Sequence, residues 1–141
     1  MSRRTDRDHA FKLIFQIPFH QALDLDEAMA VYFEDLPADQ ETDRDFIYAE
    51  FRGAAQNLPR IDGYIAAFAD RWEIDRLARM DLAIMRLAVY EMLFQEGIPV
   101  SVSINEAVEL TKIYGTDDSP GFVNGILGRI AEKIEKDKKL S

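Results

Sequence analysis

A chain of 141 residues is one domain in length, and 48% hydrophobic with 30% charged residues is a globular composition, neither disordered nor membrane-like. There is no cysteine, and the only histidines are His9 and His20, which excludes disulfides, zinc-thiolate and iron–sulfur centres, a cysteine nucleophile and a three-histidine metal site. The net charge of −9 is unevenly spread: residues 1–12 and 129–141 each carry +2, and residues 13–128 carry −13. An evenly acidic chain repels nucleic acid, but an acidic body with two cationic ends does not settle the matter by charge alone. No apolar run approaches the ~20 residues of a membrane span. The segment Met1 to His9 lacks the apolar stretch and cleavage site of a secretory signal, which predicts a cytoplasmic protein.

Apolar residues recur at intervals of three and four, so the chain is predicted to be all-α, with about seven helices in a compact domain. The first helix runs from near Arg3 or Thr5 to about Gln16 on a stripe of Ala10, Phe11, Leu13, Ile14 and Phe15. Pro18 ends it, because proline lacks the N–H that the ladder needs. The second follows Asp24, which has capping-box spacing with Glu27 and Leu23 in the staple position. The third runs from about Asp43 to Leu58 on Phe46, Ile47, Phe51, Ala54, Ala55 and Leu58, with Glu50 flanking Phe51. Pro59 fits the first turn of a fourth, whose inner face is Ile61, Ile65, Phe68 and Trp72. Asp75 is the expected cap of a fifth. That helix is apolar on most sides from Leu77 to Phe94, which predicts the central position. Gly97-Ile98-Pro99 stops it. Ser103 and Glu106 form another capping box, opening a sixth helix that Gly115 closes as a C′ glycine. Ser119-Pro120 opens a seventh, carrying Phe122, Val123, Ile126, Leu127, Ile130 and Ile134. A boundary near Leu58-Pro59 divides the domain into a front part, 1–58, and a back part, 59–141. Trp72, Ile84, Leu87, Ala88, Val108, Val123 and Leu127 are the expected core of the back part.

Enzymatic signals are poor, and no metal or cofactor is expected. Gly121, Gly125 and Gly128 fall inside a predicted helix without a preceding strand or a lysine, so they form no phosphate loop; they are expected to permit close helix packing or backbone approach. Asp117-Asp118 lacks calcium-loop spacing and reads as capping carboxylate. His9 has no matching nucleophile and reads as a helix-surface residue. Asn105 and Asn124 cost helix propensity and are expected to hydrogen-bond to a neighbouring loop, a helix end or a ligand. The N-terminal arginines are the better signal. Arg3 and Arg7 share a helical face and Arg4 lies beside it. Guanidinium forks match phosphate oxygens and stack on bases. An ordinary charged helix surface explains the same residues, and on charge and spacing alone both readings stay open.

Four ordered motifs carry a resemblance over essentially the whole chain, strongest at 72–128. They are Arg3-Arg4-Thr5-x-Arg7-x-x-Ala10; Trp72 with Asp75-Arg76-Leu77 and then Asp81-x-Ala83-Ile84-x-Arg86-Leu87-Ala88-x-Tyr90-Glu91; Ile98-Pro99-x-x-Val102-x-Ile104-Asn105-Glu106-Ala107-Val108-Glu109-Leu110-x-Lys112-x-Tyr114-Gly115; and Phe122-Val123-Asn124-Gly125-Ile126-Leu127. The sequence resembles the NusB family of bacterial transcription antitermination factors. A related RNA-binding helical domain is fused to some RNA methyltransferases; with no methyltransferase segment in these 141 residues, the stand-alone factor is the expected relative.

The resemblance implies an all-helical fold of two subdomains without enzymatic activity. It implies pairing with NusE, a small-subunit ribosomal protein, and joint binding of single-stranded boxA RNA in ribosomal RNA leaders. With other Nus factors the pair acts on the transcription elongation complex. Some members form homodimers that hide the RNA-binding face. Residue by residue, it implies RNA contact at Arg3, Arg4, Arg7, Asp118 and Phe122, and partner contact at Phe15, Phe19, Tyr90 and Glu91. Phe122 also begins an apolar stripe, so a core role competes with base stacking. The acidic body motivates a second reading, a helical protein-binding adaptor without direct RNA contact.

Overall fold

The computed structural model describes residues 3–19, 24–36, 41–69 and 77–140. The fold is all-α. Among the described residues the helices are α1 (Arg3–Phe15), α2 (Leu25–Glu34), α3 (Arg44–Gln56), α4 (Leu58–Phe68), α5 (Arg79–Phe94), α6 (Val100–Tyr114) and α7 (Ser119–Leu140), with a single 3₁₀ turn at Ile17–Phe19. Trp72 and the expected cap Asp75 lie outside the described residues, as does Leu23.

The α5 helix is central, as its composition predicts. Every residue from Asp81 to Met92 is buried, and α1, α3, α4, α6 and α7 all pack on it. A helix enclosed on all sides must be apolar nearly all round, and its three buried charges, Asp81, Arg86 and Glu91, each have a partner from another helix. Ile84, Leu87, Ala88, Val123 and Leu127 join one hydrophobic cluster with Phe11, Ile14, Ile47, Phe51, Ile61 and Ile65. Val108, expected in the core, is half-buried.

Several expected helix ends form as their chemistry dictates. The Asp24 carboxylate accepts the Glu27 N–H, and Asp43 caps α3 by accepting from Phe46. Asn57 is the one residue between α3 and α4, and Pro59 sits in the first turn of α4, where its missing donor costs nothing.

Other ends depart from expectation. The α6 helix starts at Val100 after Pro99, so Ser103 lies inside it and is buried. Its hydroxyl donates to Glu91 instead of capping, and Glu106 pairs with Arg4. The α5 helix begins at Arg79, with Leu77 buried just ahead of it. Gly115 has extended backbone, φ −95° and ψ −166°, not the left-handed conformation of a C′ glycine. Glycine is needed there for space: a β-carbon would lie 2.6 Å from the Ser119 side chain and 2.9 Å from the Thr111 carbonyl oxygen. At Gly121, Gly125 and Gly128 nothing lies within 4 Å of where a β-carbon would be, so no packed neighbour explains them. Asn105 and Asn124 are exposed on their helices. His9, read as a surface residue, is buried against α2.

Candidate nucleic-acid interface

The three N-terminal arginines do not form one surface. Arg3 and Arg4 stand outward, with side chains 52% and 58% exposed. Arg3 lies 2.7 Å from Asp43 and 3.1 Å from Asp6, and its guanidinium stacks over the Phe46 ring at 4.0 Å. The Arg3 hydrogen bond holds the Asp43 carboxyl below its ordinary value. Arg4 forks onto Glu106 of α6, at 2.9 and 3.2 Å. Arg7 points inward. Its side chain is 7% exposed, and its Nε donates to Glu91, itself 1% exposed, at 2.9 Å.

This division has an energetic meaning. An exposed ion pair is weak and screened by salt, which describes Arg4 on Glu106; Arg3 is held more firmly, because one of its two carboxylates, Asp6, is buried. Opening a buried pair costs about 3–5 kcal/mol. Arg7 therefore supports this surface from beneath, and the helix face read from i and i+4 spacing is turned so that only Arg3 is outside.

The other expected RNA contacts lie at the far end of the same seam. Arg4 holds Glu106, and two turns along α6 the Tyr114 hydroxyl donates to Asp8 of α1 at 2.6 Å. Lys12 pairs with Asp8 at 2.8 Å and lies over the Tyr114 ring. Just beyond, the start of α7 meets the start of α5 around a surface pocket of about 250 Å³, lined by Leu77, Ala78, Asp81, Thr116, Asp118, Ser119 and Phe122. Phe122 is half-buried, packed against the core and bordering this pocket. Asp118 is exposed, and its carbonyl accepts the Phe122 N–H. Ser119 does not cap α7. It accepts from the Thr116 N–H and donates to Asp81. Burial pushes the Asp81 carboxyl up, against the Ser119 hydrogen bond, and its second oxygen has no partner.

The expected partner residues also separate. Phe15 is half-buried and borders a smaller groove of about 80 Å³ with Phe11, Lys12, Met80 and Tyr114. Phe19 closes the 3₁₀ turn, and its side chain lies outside the described part. Tyr90 is 9% exposed, packed on the Phe94 ring and against Gly53, where any β-carbon would run into the Tyr90 ring. Tyr90 and Glu91 therefore shape the interior and present almost no surface. Sequence reasoning passed over Glu106, Asp81, Lys12 and Tyr114, which organise the seam. Glu50 was also passed over, although its position on the stripe of Ile47, Phe51 and Ala54 was a signal. Among the described residues no group of three or more His, Asp or Glu side chains is placed to hold a metal ion, and no helix is long and apolar enough to cross a membrane.

Comparison with known proteins places this geometry in context. The NusB family model matches residues 4–132. The transcription antitermination protein NusB of Natranaerobius thermophilus is 42% identical over 141 residues, covering 96% of this chain and 99% of its own. That of Lachnoclostridium phytofermentans is 38% identical over 132 residues, covering 94% and 100%. The crystal structure of T. maritima NusB superposes with a TM-score of 0.81 at 38% identity, covering 94% of this chain and 92% of that one. A complex of antitermination factors NusB and NusE with double-stranded RNA contains the same fold, at a TM-score of 0.80 and 22% identity, covering 93% and 96%. With a family match over nearly the full length, and relatives of its own size, the chain belongs to the NusB family of transcription antitermination proteins.

Proposed function

We propose that this chain binds boxA-type single-stranded RNA jointly with NusE, and thereby supports ribosomal RNA transcription in the elongation complex with other Nus factors. The proposed surface follows the α1–α6 seam, from Arg3 and Arg4 to the pocket edged by Asp118 and Phe122. The observation that carries it is the pairing of two outward guanidiniums, Arg3 and Arg4, with a half-buried aromatic ring at the other end of one seam. Single-stranded RNA offers matching handles, phosphates for arginine and base faces for a ring. A fold neighbour solved with NusE and double-stranded RNA supports the choice of partner and of RNA as ligand. The body charge of −13 suits a basic ribosomal protein, which supplies the cations this chain lacks. Phe15 and its groove belong to the proposed partner side, with Phe19. The same proposal keeps the division into parts 1–58 and 59–141, and a cytoplasmic setting.

The test is a titration of boxA-type RNA with and without NusE at several salt concentrations, with the mass of each complex read alongside to detect homodimers. Arg4→Ala is expected to weaken binding and flatten the salt slope by about 0.7 for each phosphate no longer neutralised. Phe122→Ala is expected to cost about 1–3 kcal/mol with little change in slope. Folded variants that keep wild-type affinity and slope overturn the site. Binding of NusE without any RNA binding by the pair establishes the adaptor reading instead.

A further inference from the structure

Glu50 lies on α3 beneath α1 with no exposure to solvent, and neither of its carboxylate oxygens has a donor. Its neighbour Glu91, by contrast, has a donor on each oxygen. Glu91 accepts from Arg7 on one oxygen, at 2.9 Å, and from the Ser103 hydroxyl on the other, at 2.8 Å. Two ionised carboxylates here would both be buried and would repel one another, with one buried arginine, Arg7, to offset the pair. An isolated buried anion is costly enough that such a group neutralises itself. Two carboxyls in one site relieve their repulsion by sharing one proton, which also turns two acceptors into a donor and an acceptor.

We infer that Glu50 is held as an un-ionised carboxylic acid that donates its proton to Glu91, so that Arg7, Glu91 and Glu50 form a clamp of one cation, one anion and one neutral acid locking α1 onto α3 and α5. Glu91, with Arg7 and Ser103 on its two oxygens, is the anion. The groups facing Glu50 are Arg7 and Arg3 from α1, Glu91 and Tyr90 from α5, and Ser103 of α6 through Glu91. Burial raises the Glu50 carboxyl most, then the Glu91 charge and the hydrogen bond to Glu91; Arg7 and Arg3 pull the other way. Arg3 pulls weakly because it is half-exposed and bound to Asp6 and Asp43. The result lies far above the ordinary carboxyl range. Tyr90 is raised as well, by burial first and then by Glu50 and Glu91, so it adds no further negative charge to the cluster near neutral pH. The clamp concerns this chain's own helices and stands whether or not RNA is bound.

The native state then holds a proton that the unfolded chain releases, and the unfolding constant rises tenfold per pH unit on this account. The window of pH 7–8.5 isolates the effect, because an ordinary carboxyl has already ionised and a neutral histidine no longer contributes. Urea denaturation across that window should show the wild type losing stability with this extra slope, while Glu50→Gln, which keeps a neutral donor, lacks it. In wild-type protein carrying ¹³C at glutamate side-chain carboxyls, one carboxyl should remain in its un-ionised form at pH 8. That signal should vanish in Glu50→Gln. If every glutamate carboxyl has titrated by pH 6, or if the two proteins share one slope, the inference is overturned. The labelled wild-type spectrum decides the matter even if the variant fails to fold.

Discussion

Replacing Arg7 with alanine removes the buried guanidinium that pairs with Glu91. Glu91 keeps the Ser103 hydroxyl and the proposed Glu50 proton, but its buried charge is left with no counter-ion. Taking one partner from a buried ion pair costs about 3–5 kcal/mol, because the orphaned charge stays buried. The aliphatic stem of Arg7 is enclosed too, so reduced packing adds to the cost. Against a typical total stability of about 5–15 kcal/mol, this is about a fifth of the fold or more. In a chain of this size each kcal/mol moves the melting temperature by about 2–4 °C, so a fall of about 10 °C is expected. Arg4→Ala is the control, because its fork to Glu106 is exposed and screened by solvent, so its loss should change stability little. Urea denaturation followed by circular dichroism at pH 7 measures both. A double-mutant cycle with Glu91→Gln isolates the pair, since Arg7→Ala should cost clearly less when no charge is left behind. A loss below about 1 kcal/mol for Arg7→Ala, or one equal to that of Arg4→Ala, refutes the reasoning. The outcome also governs RNA measurements: weak binding by Arg7→Ala reports damage to α1 before it reports a missing phosphate interaction.

Two glycines in helix interiors should respond with opposite signs to alanine. Gly53→Ala is expected to destabilise by about 1–3 kcal/mol, because its new methyl group meets the buried Tyr90 ring, whereas Gly63→Ala, with nothing near it, should stabilise by up to about 1 kcal/mol; denaturant midpoints check both. His9 lies 2.7 Å from the Tyr32 hydroxyl through Nδ1, and its Nε2 is buried without a partner. Burial lowers its affinity for a proton below the ordinary histidine value, so the unfolded chain binds the proton more readily and His9 withdraws stability as pH falls below about 6.5. The stability difference between wild type and His9→Phe should therefore move in favour of the variant between pH 7.5 and 5.5; a difference constant over that range contradicts the assignment.

Apolar spacing by itself determined the number of helices, the central place of α5 and most of the core, because a 3.6-residue period specifies which face must leave water. Local capping chemistry likewise placed the starts of α2 and α4, since Asp24 and Pro59 act on backbone groups a few residues away. The ordered motifs pointed to the family, and the arginines and Phe122 to the ends of the seam. Only the tertiary structure decided what each polar side chain does. Ser103 with Glu106 has the spacing of a cap, yet Ser103 turns to a buried carboxylate on α5 and Glu106 to an arginine on α1. Arg3 and Arg7 share a helical face by spacing, yet α5 covers one and leaves the other in water. Glu91 looks like a surface carboxylate until Arg7 and Ser103 arrive from elsewhere in the chain. Periodicity reports burial averaged over a helix turn, whereas the partner of a charge lies 84 residues away for Arg7 and 102 for Arg4. Such pairings exist only once the helices are packed, and they separate the charges that hold this fold from those it presents to a ligand.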